Sequence, residues 1–107
     1  MEPGNSDVIT CYVYASGGGI YRTANASAPT PVFTHPYTTA SSVRGELAIS
    51  KTGGAVTLYC ANGENSSGRL LRSFDAGQTW AIAPGTTGFC TGQCFYDIAI
   101  EVDPTNQ

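Results

Sequence analysis

Four cysteines, Cys11, Cys60, Cys90 and Cys94, carry the most distinctive chemistry in this chain of 107 residues. In a short chain rich in Thr, Ser, Asn and Gly, such cysteines read as disulfides of a secreted protein before they read as metal ligands. Cys90 and Cys94 are the most economical pair, because Thr91-Gly92-Gln93 can close a small loop between them. Cys11 and Cys60 would then pair with each other or stay as buried thiols. A zinc site would need a second Cys or His pair at ligand spacing, and His35 is the only histidine, so no metal is expected.

Other reactive side chains assemble less. Glycoside hydrolysis needs two carboxyls held roughly 5 to 10 Å apart. Asp97, Glu101 and Asp103 are close in sequence, and Asp97 and Glu101 share strand parity, but a solvated acid at a strand end is the simpler reading of each. Ser41-Ser42 and Ser66-Ser67 have no base nearby, and no catalytic residue is assigned. His35 reads as a surface group of a loop, and Gly17-Gly18-Gly19 is not a phosphate loop because no helix follows it. Tyr12, Tyr14, Tyr37, Phe95 and Tyr96 could stack on sugar rings, and Tyr37, Phe95 and Tyr96 are the candidate ligand-binding residues. In alternating strands, however, most aromatics belong to the core. No cofactor is implied.

The elements that must position these residues are strands. Charged residues make up only 12 % of the chain, and 13 glycines, 6 tyrosines and 4 phenylalanines favour short strands and tight turns. The class is all-β. A net charge of −3 with five Lys and Arg leaves no basic face for a run of phosphates, so no nucleic-acid partner is expected. No apolar run approaches the roughly 18 residues of a spanning helix, so membrane insertion is not expected either. The start, Met1-Glu2-Pro3-Gly4, lacks the basic and apolar regions of a signal peptide, and an exported form would have lost its signal or carry it upstream.

The chain repeats itself at about fifty residues. Ile20-Tyr21-Arg22-Thr23-Ala24-Asn25-Ala26 aligns with Leu70-Leu71-Arg72-Ser73-Phe74-Asp75-Ala76 at an offset of 50. Leu47-Ala48-Ile49-Ser50 aligns with Ile98-Ala99-Ile100-Glu101 at an offset of 51, and Met1 to Asn5 with Val102 to Asn106 at an offset of 101. The chain is one domain, 1–107, with repeats over about 1–50 and 51–102. Period-2 and apolar runs predict strands at 8–15, 19–23, 32–34, 46–50, 55–61, 69–73, 79–83 and 96–102, separated by polar turns. Arg22 and Arg72 hold equivalent positions, which favours a structural role.

Ser73-Phe74-Asp75-Ala76-Gly77-Gln78-Thr79-Trp80 matches Ser-x-Asp-x-Gly-x-Thr-Trp at every specified position. As a hairpin turn, Asp75 can accept backbone N–H bonds, Gly77 can supply a positive φ, Thr79 can add a hydroxyl bond, and Trp80 can begin the next strand and pack under the turn or between sheets. The motif resembles the Asp-box of sialidase-like β-propellers, where it joins the third and fourth strands of a blade. Gly18 to Thr23 resembles a third strand of such blades, and Asp97 to Asn106 an innermost strand and its exit turn. The first repeat departs from the pattern, with Asn25 for Asp, Ser27 for Gly and Pro29 for Thr, so a differently shaped turn is expected there.

The resemblance implies a two-blade segment of a β-propeller, with Ser73, Asp75, Gly77, Thr79 and Trp80 structural. It does not carry an active site onto these residues: sialidase catalysis uses an arginine cluster, a tyrosine with an acidic partner and a further acid. The expected function is a secreted, cell-surface or periplasmic binding or scaffold module, with carbohydrate as ligand. The alternatives are a fragment of a propeller glycoside hydrolase and a purely structural segment. A blade cannot bury both faces alone, so the expected partners are other blades. By the repeat alignment the first blade lacks its inner strand, while 96–102 supplies one with no blade to complete. That strand should join a neighbouring chain in a cyclic oligomer, most simply of three chains, or join adjacent segments of a longer propeller.

Overall fold

A computed structural model describes residues 1–40 and 42–103; Ser41 and the aligned Pro104-Thr105-Asn106 segment lie outside the described residues. The fold is all-β, with two antiparallel sheets in sequence order and no α-helix among the described residues. The first sheet holds β1 (Ile9–Val13), β2 (Gly19–Thr23) and β3 (Phe33–Thr38) in the order β1-β2-β3. The second holds β4 (Gly45–Thr52), β5 (Ala55–Asn62), β6 (Arg69–Ser73) and β7 (Ala81–Thr87) in the order β4-β5-β6-β7, with one 3-10 turn at Glu64–Ser66. Each is a plain meander, which is what short strands joined by local turns form at least entropic cost. Among the described residues the sheets close no ring.

Local chemistry accounts for the strand boundaries. The β4–β5 hairpin turns on Gly53-Gly54, whose φ angles of 56° and 91° are the pair of positive values that a two-residue hairpin of matched twist requires. β3 runs longer than the expected 32–34 because Pro36 is accommodated at a bulge: Ile20 pairs with Tyr37 and Arg22 with Thr34, so two residues of β3 face one of β2. β7 starts two residues after the expected Thr79, since Asp75 holds Thr79 in the turn, and it tolerates Pro84 as an edge strand.

The expected strand over 96–102 is corrected: residues 94–96 form a turn, and 97–103 run without a ladder among the described residues. The turn is fixed by the Tyr96 and Asp97 amides, both donating to the Gln93 carbonyl at 3.1 and 3.0 Å. The following residues still alternate, with Ile98 buried, Ile100 and Val102 half-buried, and Ala99 and Glu101 exposed.

The two sheets pack through one layer of side chains. Ile20, Cys60 and Leu71 are fully buried there, and Tyr12, Tyr37, Leu47 and Trp80 pack against them. Burying an aliphatic side chain of this size contributes about 1.5 to 3 kcal/mol, so this layer is a main source of cohesion between the sheets. A second cluster, on the other face of the second sheet, holds Ala61, Cys90, Cys94 and Ile98, with Leu70 and Ile100 against it.

Candidate functional site

The 73–80 turn is built around Asp75. Its carboxylate accepts bonds from the Ser73 hydroxyl at 2.7 Å, the Gln78 amide at 3.0 Å, and the Thr79 amide and hydroxyl at 2.9 and 2.6 Å. Desolvation opposes its ionisation, but the Thr79 hydroxyl and amide, the Ser73 hydroxyl and the Gln78 amide hold its pKa at about 2, below the ordinary 3.8. Gly77 has φ +84°, and its amide donates to the Ser73 hydroxyl at 2.9 Å. Trp80 lies in the turn rather than in β7, and its indole N–H donates to the Gly77 carbonyl at 3.1 Å. The turn also faces the first sheet, where Arg22 Nε donates to the Ala76 carbonyl at 2.8 Å. Arg72, the repeat equivalent of Arg22, lies over the Phe74 ring at 5.2 Å.

The corresponding turn of the first repeat keeps the same wiring despite its different residues. The Thr23 hydroxyl donates to Asn25 Oδ1 at 2.7 Å, as Ser73 does to Asp75, and Asn25 Oδ1 also accepts the Val32 amide at 3.0 Å. An amide oxygen can replace a carboxylate oxygen as acceptor at a single site, but it cannot gather four donors as Asp75 does.

The other end of the sheets carries the exposed aromatics. Strand registers place Val13, Gly19 and Thr38 at that end of the first sheet, and Gly45, Asn62 and Arg69 at that end of the second. A cleft of about 330 Å³ is lined there by Tyr12, Tyr14, Arg44, Gly45, Glu46 and Phe95. Tyr14 and Phe95 are 63 % and 65 % exposed, so neither ring is used by the core. Tyr96 is also exposed and meets Phe95 edge-on at 4.4 Å between centroids. Arg44 and Glu46 pair across the cleft wall at 2.7 Å. Tyr12 is held from below, its hydroxyl donating to the Val43 carbonyl at 3.0 Å; burial, with Cys60 and Glu64 nearby, raises its pKa.

Phe95 also lines an adjoining cleft of about 190 Å³ with Ser42, Val43, Gly63 and Cys94. Cys90 and Cys94 are joined by a disulfide with Cα atoms 5.4 Å apart, so the loop presenting Phe95 and Tyr96 is covalently tied. Cys11 and Cys60 are free thiols, the first half-buried and the second buried; burial first, then Glu64 and Glu46, push Cys60 up to about 12.

Of the three sequence-derived ligand candidates, Phe95 and Tyr96 come together in the open and Tyr37 lies apart from them. The Tyr37 hydroxyl donates to Glu64 Oε2 at 2.5 Å, and its ring packs between the sheets. Glu64 is buried, also accepts from Asn62 Nδ2 at 3.1 Å, and lies 3.7 Å from Arg69. Burial and the Glu64 bond raise the Tyr37 pKa. Sequence reasoning missed Arg44, Glu46 and Glu64, because two short polar segments flanking strands give no sign that the registers bring them to one end.

His35 stacks on Tyr21 with centroids 3.9 Å apart, and its Nε2 donates to the Gly18 carbonyl at 3.2 Å. Asp97 and Glu101 are exposed. Among the described residues no group of three or more His, Cys, Asp or Glu side chains is placed to hold a metal ion, and no helix is long and apolar enough to cross a membrane. No protein-family model, curated protein or solved structure matches this chain.

Proposed function

We propose that the two sheets are consecutive blades of an Asp-box β-propeller, and that the molecule is a non-catalytic module binding carbohydrate at the end opposite the 73–80 turn. The blade reading is supported by the four-stranded meander with its Ser-Asp-Gly-Thr-Trp turn between β6 and β7, and by the repeat of that turn's hydrogen bonds at Asn25. The ligand reading is carried by one observation: two solvent-exposed rings, Tyr14 and Phe95, flank a cleft whose wall holds the paired Arg44 and Glu46. Flat apolar rings suit the faces of a pyranose, and a guanidinium and carboxylate side by side suit its hydroxyls. The Cys90–Cys94 bridge supports an oxidising, extracytoplasmic setting.

A glycan array probed with the intact protein, followed by titration of the best hit, tests this reading. An aromatic contact contributes about 0.5 to 1.5 kcal/mol, so Phe95→Ala should weaken binding about two- to twelvefold at an unchanged melting temperature. Binding that Phe95→Ala and Tyr14→Ala both leave intact would move the site elsewhere. Turnover of chromogenic glycosides would show that the protein is an enzyme instead.

A further inference from the structure

The registers of the two sheets are related strand by strand. Thr23 and Ser73 are equivalent, and they pair with Ile9 and Leu58, so β1 matches β5 at an offset of 49. On its other edge β5 is laddered to β4, with Ile49 opposite Leu58 and Leu47 opposite Cys60. The matching edge of β1 has no ladder among the described residues. The equivalent of β4 one repeat later is the 98–102 segment, whose burial alternates like a strand's and which has no ladder either.

That segment already sits where a next sheet would begin. Leu47 of β4 packs into the cluster of Ile20 and Tyr12 in the first sheet. Ile98, Leu70 and Ala61, their equivalents at offsets of 51, 50 and 49, share the cluster on the far face of the second sheet. Beside it an open cleft of about 480 Å³ is lined by Ala61, Leu70, Phe89 and Ile100. The positions that would fill it by repeat equivalence to Cys60 and Leu71 are Cys11 and Tyr21, and both are only half-buried. The chain's own β1 cannot reach, because its sheet is packed on the opposite face of the second sheet.

We propose that β1 of a second copy of this chain adds antiparallel to the 98–102 segment, with Ile9 opposite Ile100, Thr10 opposite Ala99 and Cys11 opposite Ile98. The proposal rests on the blade reading above but not on the ligand. Ladder bonds complete the open edge of β1, and apolar burial of Cys11 and Tyr21 fills the cleft. Each copy gives with one surface and receives with another, so the contact is heterologous and builds rings or, without closure, filaments.

The register makes the test specific. Ile98→Cys places a thiol opposite the native Cys11, and mild oxidation should convert most chains to covalent dimers and higher multimers that Cys11→Ser abolishes. Because Ile98 is buried, Thr10→Cys with Ala99→Cys in a Cys11→Ser background provides an independent pair one residue away. Sedimentation velocity of the unmodified protein should show a multiple of 11.1 kDa. A monomer, a link formed within one chain, or a multimer in which neither pair links would each overturn the exchange. A monomer that still binds glycans would leave the ligand reading standing, and one that also melts as a single cooperative unit would leave the stacked sheets standing.

Discussion

At the scale of residues, Asp75 concentrates the turn's stability in one carboxylate. Replacing it by Ala strands several donors, and should cost on the order of 1 to 3 kcal/mol in chemical denaturation. The expected loss is in stability alone, so any ligand affinity measured on the folded fraction should hold constant. Because the folded pKa of about 2 lies below the ordinary 3.8, this carboxylate stabilises the fold above that ordinary value, and the contribution disappears as pH falls through about 2. Asp75→Ala should accordingly flatten the fall of stability with acid over that window; an unaltered slope would mean that other acids carry it. Gly77 is constrained twice. Its φ is +84°, and an added Cβ would meet Thr10 Oγ1 at 3.0 Å, so Gly77→Ala should destabilise by about 1 kcal/mol or more.

At the scale of elements, the 88–97 loop is organised by its disulfide, and the thiols are distinguishable by burial. Alkylation under denaturing conditions without reductant should add two groups, at Cys11 and Cys60, and four after reduction. In the folded protein at neutral pH, Cys60 should not react, because it is buried and its thiolate is strongly disfavoured, whereas Cys11 should react in a separated chain and be shielded where a second copy covers it. More than two adducts without reductant would show that Cys90 and Cys94 are not joined. The strands themselves were largely legible in the sequence. β2 and β6 fall at the expected residues, and the other five differ only in extent. The discrepancies lie at Pro36, at Thr79 and in the last segment, where a proline bulge, a side-chain-held turn and the amides tied back to Gln93 overrode apolar alternation.

At the scale of the whole molecule, the layer of Ile20, Cys60 and Leu71 makes the sheets interdependent. Leu71→Ala should cost about 2 to 5 kcal/mol and lower a single melting transition shared by both sheets. Two resolved transitions in calorimetry would show instead that each sheet holds itself together. The sequence by itself determined the all-β class, the fifty-residue repeat, the Asp75 turn and the Cys90–Cys94 bridge, because each depends on residues within one turn or on a period visible along the chain. Only the tertiary structure decided that Tyr37 is sealed against Glu64, that Tyr14 and Phe95 open onto Arg44 and Glu46, and that the last segment follows a turn and has no ladder among the described residues. Those outcomes turn on which strand ends meet and on whether an edge finds a partner. Both are set by packing between residues tens of positions apart, and alternation along one strand carries no record of them.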